Sequence, residues 1–104
     1  MDVSQGVLVQ GAMTYVVRYS RHIDWKRFRM LPVADKKRFQ KAVEDKLTVD
    51  PLTFGKPMRK SLYGCRSLRV GDFRIIYRVQ KNVVEILVFG HRSTVYDDAD
   101  RYLS

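Results

Sequence analysis

The chain has 104 residues, enough for one domain with a buried core and too few for two. Hydrophobic residues make up 45% of it and aromatic residues 12%, which excludes a disordered chain. Twenty Lys and Arg against 11 Asp and Glu give a formal net charge of +9, which is typical of a domain that meets phosphate groups or an acidic protein.

The cysteine and histidine content limits the site chemistry. Cys65 is the only cysteine, so no internal disulfide can form, and with His22 and His91 it lacks metal-ligand spacing. The longest apolar run, residues 83–89, is broken by Glu85 and is far shorter than a membrane span. We therefore expect a cytoplasmic protein with no metal, cofactor or membrane partner.

The first 13 residues, MDVSQGVLVQGAM, differ in texture from the rest because Gly, Gln and Ser surround a short apolar stretch. We interpret residues 1–13 as a leader or an added extension outside the core, with Met13 as a plausible natural start. Residues 14–104 are then a single domain.

The N-terminal half is predicted to contain one strand and two helices. Residues 14–19, TYVVRY, are β-branched and aromatic, which favours a strand. Ser20 is expected to cap a helix that carries Trp25 and Phe28, and Pro32 either ends that helix or begins the next.

The second helix is indicated by three apolar residues at a spacing of four, namely Phe39, Val43 and Leu47. The two helices would form a hairpin. Residues 49–57 contain two prolines and Gly55, so they are predicted to connect the helical half to the strand half.

The C-terminal half reads as three antiparallel strands joined by tight turns at Gly71–Asp72 and Lys81–Asn82. The first turn predicts that Val70 pairs with Phe73, Arg69 with Arg74, and Leu68 with Ile75. Side chains alternate between faces, so the core face takes Leu68, Val70, Phe73, Ile75, Tyr77 and Val79. The other face takes Ser67, Arg69, Arg74, Ile76 and Arg78.

The predicted arginine pair is unusual because like charges opposite each other in a sheet cost roughly 0.2–1 kcal/mol. Stability alone does not explain why Arg69 faces Arg74. On the third strand, the second turn predicts the pairs Arg78–Glu85, Ile76–Leu87 and Arg74–Phe89. This register would bring His91 onto the face of Arg69 and Arg74, with Arg92 beside it.

A last helix is predicted after Thr94, with Val95, Ala99 and Tyr102 on its buried side. Tyr96 would then lie in its first turn, where the helix dipole favours an anion.

Together these side chains suit metal-free RNA cleavage. Arginines bind phosphate and stabilise the charge that develops at phosphorus, and a phenol or imidazole transfers protons. Each residue also has a simpler interpretation: Arg74 and Arg78 as solvent-facing strand residues, Tyr96 as a cover for the core, and His91 as a hydrogen-bonded strand end. Their conjunction is what favours a site.

The stretch LYGCRSLRVGDFRIIYRV followed by VFGHRSTVY resembles the C-terminal half of RelE-family toxins of prokaryotic toxin–antitoxin modules, within the RelE/ParE superfamily. The resemblance covers nearly all of the chain after Met13. It implies an α+β, RelE-like fold: a twisted antiparallel sheet of about four strands, an N-terminal helical hairpin and a short C-terminal helix.

The resemblance also implies an activity. Family members are ribosome-dependent ribonucleases that cut mRNA in the decoding site and are held in check by a small antitoxin. The implied partners are therefore a cognate antitoxin, the ribosome and mRNA. By position, Arg74, Arg92 and Tyr96 resemble the transition-state and acid–base residues of the family, and His91 is an additional proton carrier.

The chain departs from the family at Ser67, where many relatives have a basic residue. Arg66, Arg69 and Lys60 are the candidates to replace it, although the register places Arg66 on the core side. With Arg78, these residues are the predicted RNA- and phosphate-binding set.

Two alternatives remain open. One is a ParE-like toxin that poisons DNA gyrase without nuclease activity, and the other is an inactive antitoxin-binding relative. Tyr96 beside His91 and Arg92 favours the nuclease, because a gyrase binder needs no proton-transfer residue there.

Overall fold

A computed structural model describes residues 14–103; the predicted leader, residues 1–13, lies outside the described residues. The elements in chain order are β1 (Val16–Tyr19), α1 (Trp25–Arg29), α2 (Val33–Ala42), continued by a π-helical turn (Val43–Leu47), α3 (Pro51–Phe54), β2 (Lys56–Pro57), a 3₁₀ turn (Lys60–Leu62), β3 (Arg66–Val70), β4 (Phe73–Gln80), β5 (Val83–His91) and α4 (Val95–Leu103).

The predicted α+β fold is confirmed, but the sheet has five strands, in the order β1-β5-β4-β3-β2. The additional strand is β2, which lies inside the segment expected to connect the two halves. Its two residues pair with Ser67 and Arg66 of β3. The sheet is also not wholly antiparallel, since β1 runs parallel to β5. Parallel neighbours need a long crossover, which α1, α2 and the β2–β4 strands supply.

The predicted pairing of β3 with β4 is confirmed residue by residue, including Arg69 opposite Arg74. Gly71 supplies the positive φ of 62° that the tight turn between them requires.

The predicted pairing of β4 with β5 is only half right. Arg78 pairs with Glu85 as expected, but a bulge between Ile76 and Tyr77 shifts the remaining register by one residue. Ile76 therefore faces Val88 rather than Leu87, and Arg74 faces Gly90 rather than Phe89.

The main core lies between the sheet and the helical hairpin. Phe39, Val43 and Leu47 from the α2 face are buried there, as their spacing predicted, against strand residues Leu68, Val70, Ile75, Tyr77, Val84 and Ile86. A second cluster lies on the other face beneath α4 and contains Leu62, Cys65, Ile76, Leu87, Val88, Val95 and Ala99. The middle of the sheet is thus covered on both faces, and only its ends leave room for polar side chains.

Two predicted details at the helix ends are wrong. Asp24, not Ser20, caps α1, because Asp24 Oδ1 accepts a 3.0 Å hydrogen bond from the backbone of Arg27. Ser20 instead donates its hydroxyl to the carbonyl of Leu87 and ties the end of β1 to β5. Tyr102 is 41% exposed rather than buried, and Leu103 packs on the second cluster in its place.

Tyr77 fixes the position of α3 over the sheet. Its buried hydroxyl donates a 2.6 Å hydrogen bond to the carbonyl of Pro51. A side chain at Gly55 would collide with this phenol, so the chain passes close to Tyr77 only because residue 55 is glycine. Within residues 14–103, none of the helices combines the length and apolar character needed to cross a bilayer.

Candidate functional site

An arginine pair lies at one end of the sheet, on the face that carries α4. Arg69 and Arg74 are directly opposite each other on β3 and β4. The Nε of Arg74 is buried without a hydrogen-bond partner, as is that of Arg66 on the other face, and none of the ion pairs found among residues 14–103 includes Arg69 or Arg74. A half-buried cation beside a like charge is a site with a deficit of negative charge.

Tyr96 lies on the same face of the sheet as this pair, because the first turn of α4 packs on β5. Gly90 pairs with Arg74, and a Cβ at Gly90 would lie 3.4 Å from a methyl group of Val95, so glycine allows the first turn of α4 to pack closely on β5. The Tyr96 hydroxyl is then 3.1 Å from Ser67 Oγ on β3. Ser67 is two residues from Arg69 on the same face, which places the phenol on the arginine side of the sheet.

Arg92 belongs to the same end of the molecule. Its backbone N–H donates a 2.9 Å hydrogen bond to the carbonyl of Asp72, which joins the β5–α4 turn to the β3–β4 turn. The Arg92 side chain is exposed. We name Ser67, Arg69, Arg74, Arg92 and Tyr96 the arginine site.

The expectation that His91 shares the face of Arg74 is wrong. The bulge moves His91 opposite Phe73, onto the other face of the sheet. Its ring meets the Phe73 ring edge-on at 5.7 Å between centroids, and its Nδ1 lies 2.8 Å from Ser93 Oγ. The backbone N–H of Ser93 also donates to Nδ1, so the imidazole is held by the turn that follows β5.

The other predicted phosphate-binding residues lie away from the arginine site. Arg66 is on the core side, as its register predicted, and donates hydrogen bonds of 2.7 and 2.6 Å to the carbonyls of Leu52 and Gly55. Arg78 shares the face of Arg74 but is four residues farther along β4, about 13 Å. Its guanidinium donates two hydrogen bonds to Glu85 Oε1, at 3.1 and 2.9 Å.

Lys60 occupies the 3₁₀ turn with a φ of 57° and an exposed side chain. This turn is attached to α4 by a hydrogen bond from Ser61 to Asp100. Lys60 therefore flanks α4, while Arg69, Arg74, Arg92 and Tyr96 are the predicted residues that the structure gathers at one end of the sheet.

The geometry suits an anionic, phosphate-like ligand with a transferable proton. Guanidinium groups donate two parallel hydrogen bonds to phosphate, and the phenol can give or take a proton at a reacting oxygen. Among residues 14–103, no group of three or more His, Cys, Asp and Glu side chains is arranged to hold a metal ion.

Comparison with known proteins identifies the family. Residues 20–96 match the family model described as the ParE toxin of type II toxin–antitoxin systems, parDE. The chain belongs to this family. The predicted membership of the RelE/ParE superfamily is thereby confirmed.

Individual relatives agree. The chain is 40% identical over 52 residues to toxin RelG of Mycobacterium tuberculosis, an alignment that spans 48% of this chain and 60% of RelG. In structure it resembles the toxin–antitoxin complex RelBE2 of the same organism, with 30% identity, a TM-score of 0.68 and coverage of 78% of this chain and 94% of the other.

Its fold also matches a mutant of Escherichia coli toxin RelE in the free state, at 21% identity and a TM-score of 0.67, covering 88% of this chain and all of RelE. At that identity the likeness concerns the fold alone.

Ser67 is the residue whose contribution the sequence did not indicate. Alternation along β3 correctly placed it on the face of Arg69, but it was noted only as a departure from the basic residue common in the RelE/ParE superfamily. Its hydrogen bond with Tyr96 joins residues 29 positions apart and depends on the position of α4. No local pattern encodes that contact.

Proposed function

We propose that residues 14–104 form the toxin of a type II toxin–antitoxin module, and that it cleaves mRNA on the ribosome by metal-free phosphoryl transfer. The observation that carries this proposal is the pairing of Arg74 with Arg69 on the face where the Tyr96 hydroxyl meets Ser67, with the Arg74 Nε buried and unbonded. Such a pair is unfavourable in the free protein and becomes favourable when an anion binds between the guanidinium groups.

In this reaction the 2′-hydroxyl of one nucleotide attacks the adjacent phosphorus and loses its proton. The bond from phosphorus to the 5′-oxygen breaks, and that oxygen leaves with a proton. The products are a 2′,3′-cyclic phosphate and a 5′-hydroxyl. Arg74, supported by Arg69 and Arg92, would stabilise the negative charge on the phosphorane, and Tyr96 would transfer one of the two protons. Ser67 is placed to orient the phenol.

The second proton transfer has no assigned residue. His91 was the expected carrier, but it lies on the opposite face of the sheet. A ribosomal group or solvent would therefore supply that step, which agrees with a reaction that needs the ribosome.

The proposed partners are an antitoxin, the ribosome and mRNA. The net charge of +9 supports an acidic antitoxin segment that covers the arginine site, and the related structure of RelBE2 is a toxin–antitoxin complex. Work on translating ribosomes would place the protein in the cytoplasm.

The test is a primer-extension map of mRNA from cells that briefly express either the wild type or the Tyr96→Phe variant. We expect new 5′ ends within translated frames for the wild type and few or none for the variant. An unchanged mRNA map for the wild type in growth-arrested cells would contradict the nuclease.

A second candidate is poisoning of DNA gyrase, which is favoured by the description of the matching family model as a ParE toxin. Under this alternative the same cells would accumulate DNA breaks that a gyrase-resistant host lacks, and the mRNA would stay intact. A partner-binding relative without activity would produce neither result.

A further inference from the structure

A second concave region lies at the edge of β5, between α1 on one face of the sheet and α4 on the other. β1 pairs with β5 only as far as Ile86, and the Ser20 hydroxyl donates a hydrogen bond to the next carbonyl, that of Leu87. Residues 88–91 then line a cleft of about 210 Å³ between α1 and α4. His22 and His91, the only histidines in the chain, both line it.

The floor and mouth of the cleft are aromatic. Phe73 stacks on Phe89 at 5.3 Å between centroids, and Phe28 meets Phe89 edge-on at 5.9 Å. At the mouth, the rings of His22 and Tyr102 stack at 4.7 Å with only 4° between their planes. Tyr102 is 41% exposed, so part of its ring is open to solvent, and the Arg101 guanidinium lies over the ring at 5.8 Å from its centroid.

The rim of the cleft carries both hydrogen-bond donors and acceptors. On the α1 side, Arg27 Nε lies 3.9 Å from Asp24 Oδ2. On the α4 side, Arg101 Nη2 lies 3.4 Å from Asp98 Oδ1. Each rim arginine thus has a carboxylate, so the rim is formally neutral. This balance suits a neutral base edge with donors and acceptors better than a bare phosphate.

We propose that this cleft binds one unstacked base of single-stranded RNA, next to the phosphate held at the arginine site. The inference rests on the proposed function, because it takes the RNA substrate from there. The two sites are adjacent, because Gly90 lines the cleft and also pairs with Arg74 of the arginine site. A single strand that passes round the end of the sheet reaches both. Aromatic platforms hold splayed bases in this way.

The test measures binding of a labelled single-stranded RNA heptamer, and of matched heptamers with one base removed at each position in turn, to Tyr102→Ala and to Tyr63→Ala. Tyr63 is 83% exposed and outside the cleft, so its variant controls for losing a surface ring. We expect Tyr102→Ala to weaken binding roughly 5- to 150-fold, the range for one lost base stack, and Tyr63→Ala to change little. The heptamer that lacks the base bound in the cleft should bind the wild type as weakly as the intact heptamer binds Tyr102→Ala. The Tyr102→Ala substitution should not weaken the binding of this abasic heptamer further.

Equal binding by the wild type and Tyr102→Ala would overturn the inference, as would an equal loss in Tyr63→Ala. A loss of antitoxin binding without a loss of RNA binding would also overturn it, and would make the cleft a protein interface. Cleavage on programmed ribosomes, measured for the same proteins, separates the two proposals. A wild type that cuts mRNA while Tyr102→Ala binds RNA normally refutes the cleft alone, and Tyr102-dependent RNA binding without any cutting refutes the nuclease alone.

Discussion

The two faces of the β3–β4 hairpin use the same type of residue in opposite ways. On the core face, Arg66 donates to two carbonyls of the α3 segment and holds that segment against the sheet. On the α4 face, Arg69 and Arg74 face each other. The Nε atoms of Arg66 and Arg74 are both buried without a hydrogen-bond partner, but only the Arg66 guanidinium donates, through Nη2, to carbonyls of another segment. One arginine therefore stabilises the fold, while the others leave a charge that a ligand can balance. The difference arises because side chains alternate between the two faces of a strand, which puts Arg66 on the core face and Arg69 on the α4 face.

The largest expected effect concerns the phenol of the α4 face. Tyr96→Phe removes only a hydroxyl and should keep ribosome binding, but it should lower single-turnover cleavage on programmed ribosomes by about 10²–10⁴-fold, since that is the usual worth of a general acid or base. The matched control is Tyr63→Phe, which removes a hydroxyl from an exposed ring away from the site and should cut normally.

His91→Gln completes this experiment because His91 lies on the other face of the sheet. Its single-turnover cleavage rate at saturating protein should stay within a few-fold of the wild type, because His91 lines the base-binding cleft and not the arginine site. A larger loss at His91 than at Tyr96 would reverse the assignment of the proton-transfer residue.

The next effect separates the arginines of the two faces. Arg74→Ala should lower cleavage about 10²–10³-fold, as for loss of one donor to a developing oxyanion, and should leave the free energy of unfolding unchanged or raise it by up to about 1 kcal/mol, because a like-charge pair is relieved. Arg74→Lys should recover only part of the activity, since an ammonium group cannot form the two parallel bonds of a guanidinium.

Arg66→Ala is the matched control and should behave in the opposite way. It removes hydrogen bonds to two carbonyls, so we expect a loss of roughly 1–3 kcal/mol in urea unfolding and a near-normal rate for the folded fraction. If Arg74→Ala and Arg66→Ala both lost activity and had the same free energy of unfolding, the distinction between the faces would be wrong.

The sequence contained enough to place these arginines but not His91. Alternation and the Gly71 turn predicted the β3–β4 register and the opposed arginines correctly, because both are local. The bulge between Ile76 and Tyr77 is not marked by a glycine or proline, and one extra residue moved His91 to the opposite face. The parallel pairing of β1, the contact between Ser67 and Tyr96 and the exposure of Tyr102 all depend on long-range packing that no spacing rule encodes.

A smaller effect tests the core face through pH. Burial raises the pKa of the Tyr77 phenol above its ordinary value of 10.0, with the Arg66 guanidinium acting in the other direction. The native state therefore retains the proton more tightly than the unfolded chain, and this contribution to stability is complete below pH 10 and is lost as pH rises through the native pKa. Tyr77→Phe should cost about 1–2 kcal/mol near neutral pH, because the Pro51 carbonyl loses its donor.

The measurement is urea unfolding of the wild type and Tyr77→Phe at several pH values between 7 and 11. The difference in stability between them should shrink above about pH 10, because only the wild type loses the contribution of this phenol. A difference that grew with pH would mean that the phenol ionises more readily in the folded protein.

The smallest effect belongs to Arg78, which shares the α4 face with Arg74 but has a carboxylate partner. The Arg78 side chain in the ion pair with Glu85 is 54% exposed. Arg78→Ala should therefore lower the free energy of unfolding by only about 0.2–1 kcal/mol, and this loss should decrease as salt is raised. Cleavage should stay within a few-fold of the wild type, because a guanidinium about 13 Å along β4 and bonded to Glu85 is not available to the phosphate at Arg74.

Ribosome binding measured at several salt concentrations compares the two arginines directly. Arg74→Ala should reduce the slope of log affinity against log salt by about one, which corresponds to one lost phosphate contact, and Arg78→Ala should leave the slope unchanged. An equal reduction in both variants would show that RNA runs the length of the α4 face and displaces Glu85, and the predicted RNA-binding role of Arg78 would then hold.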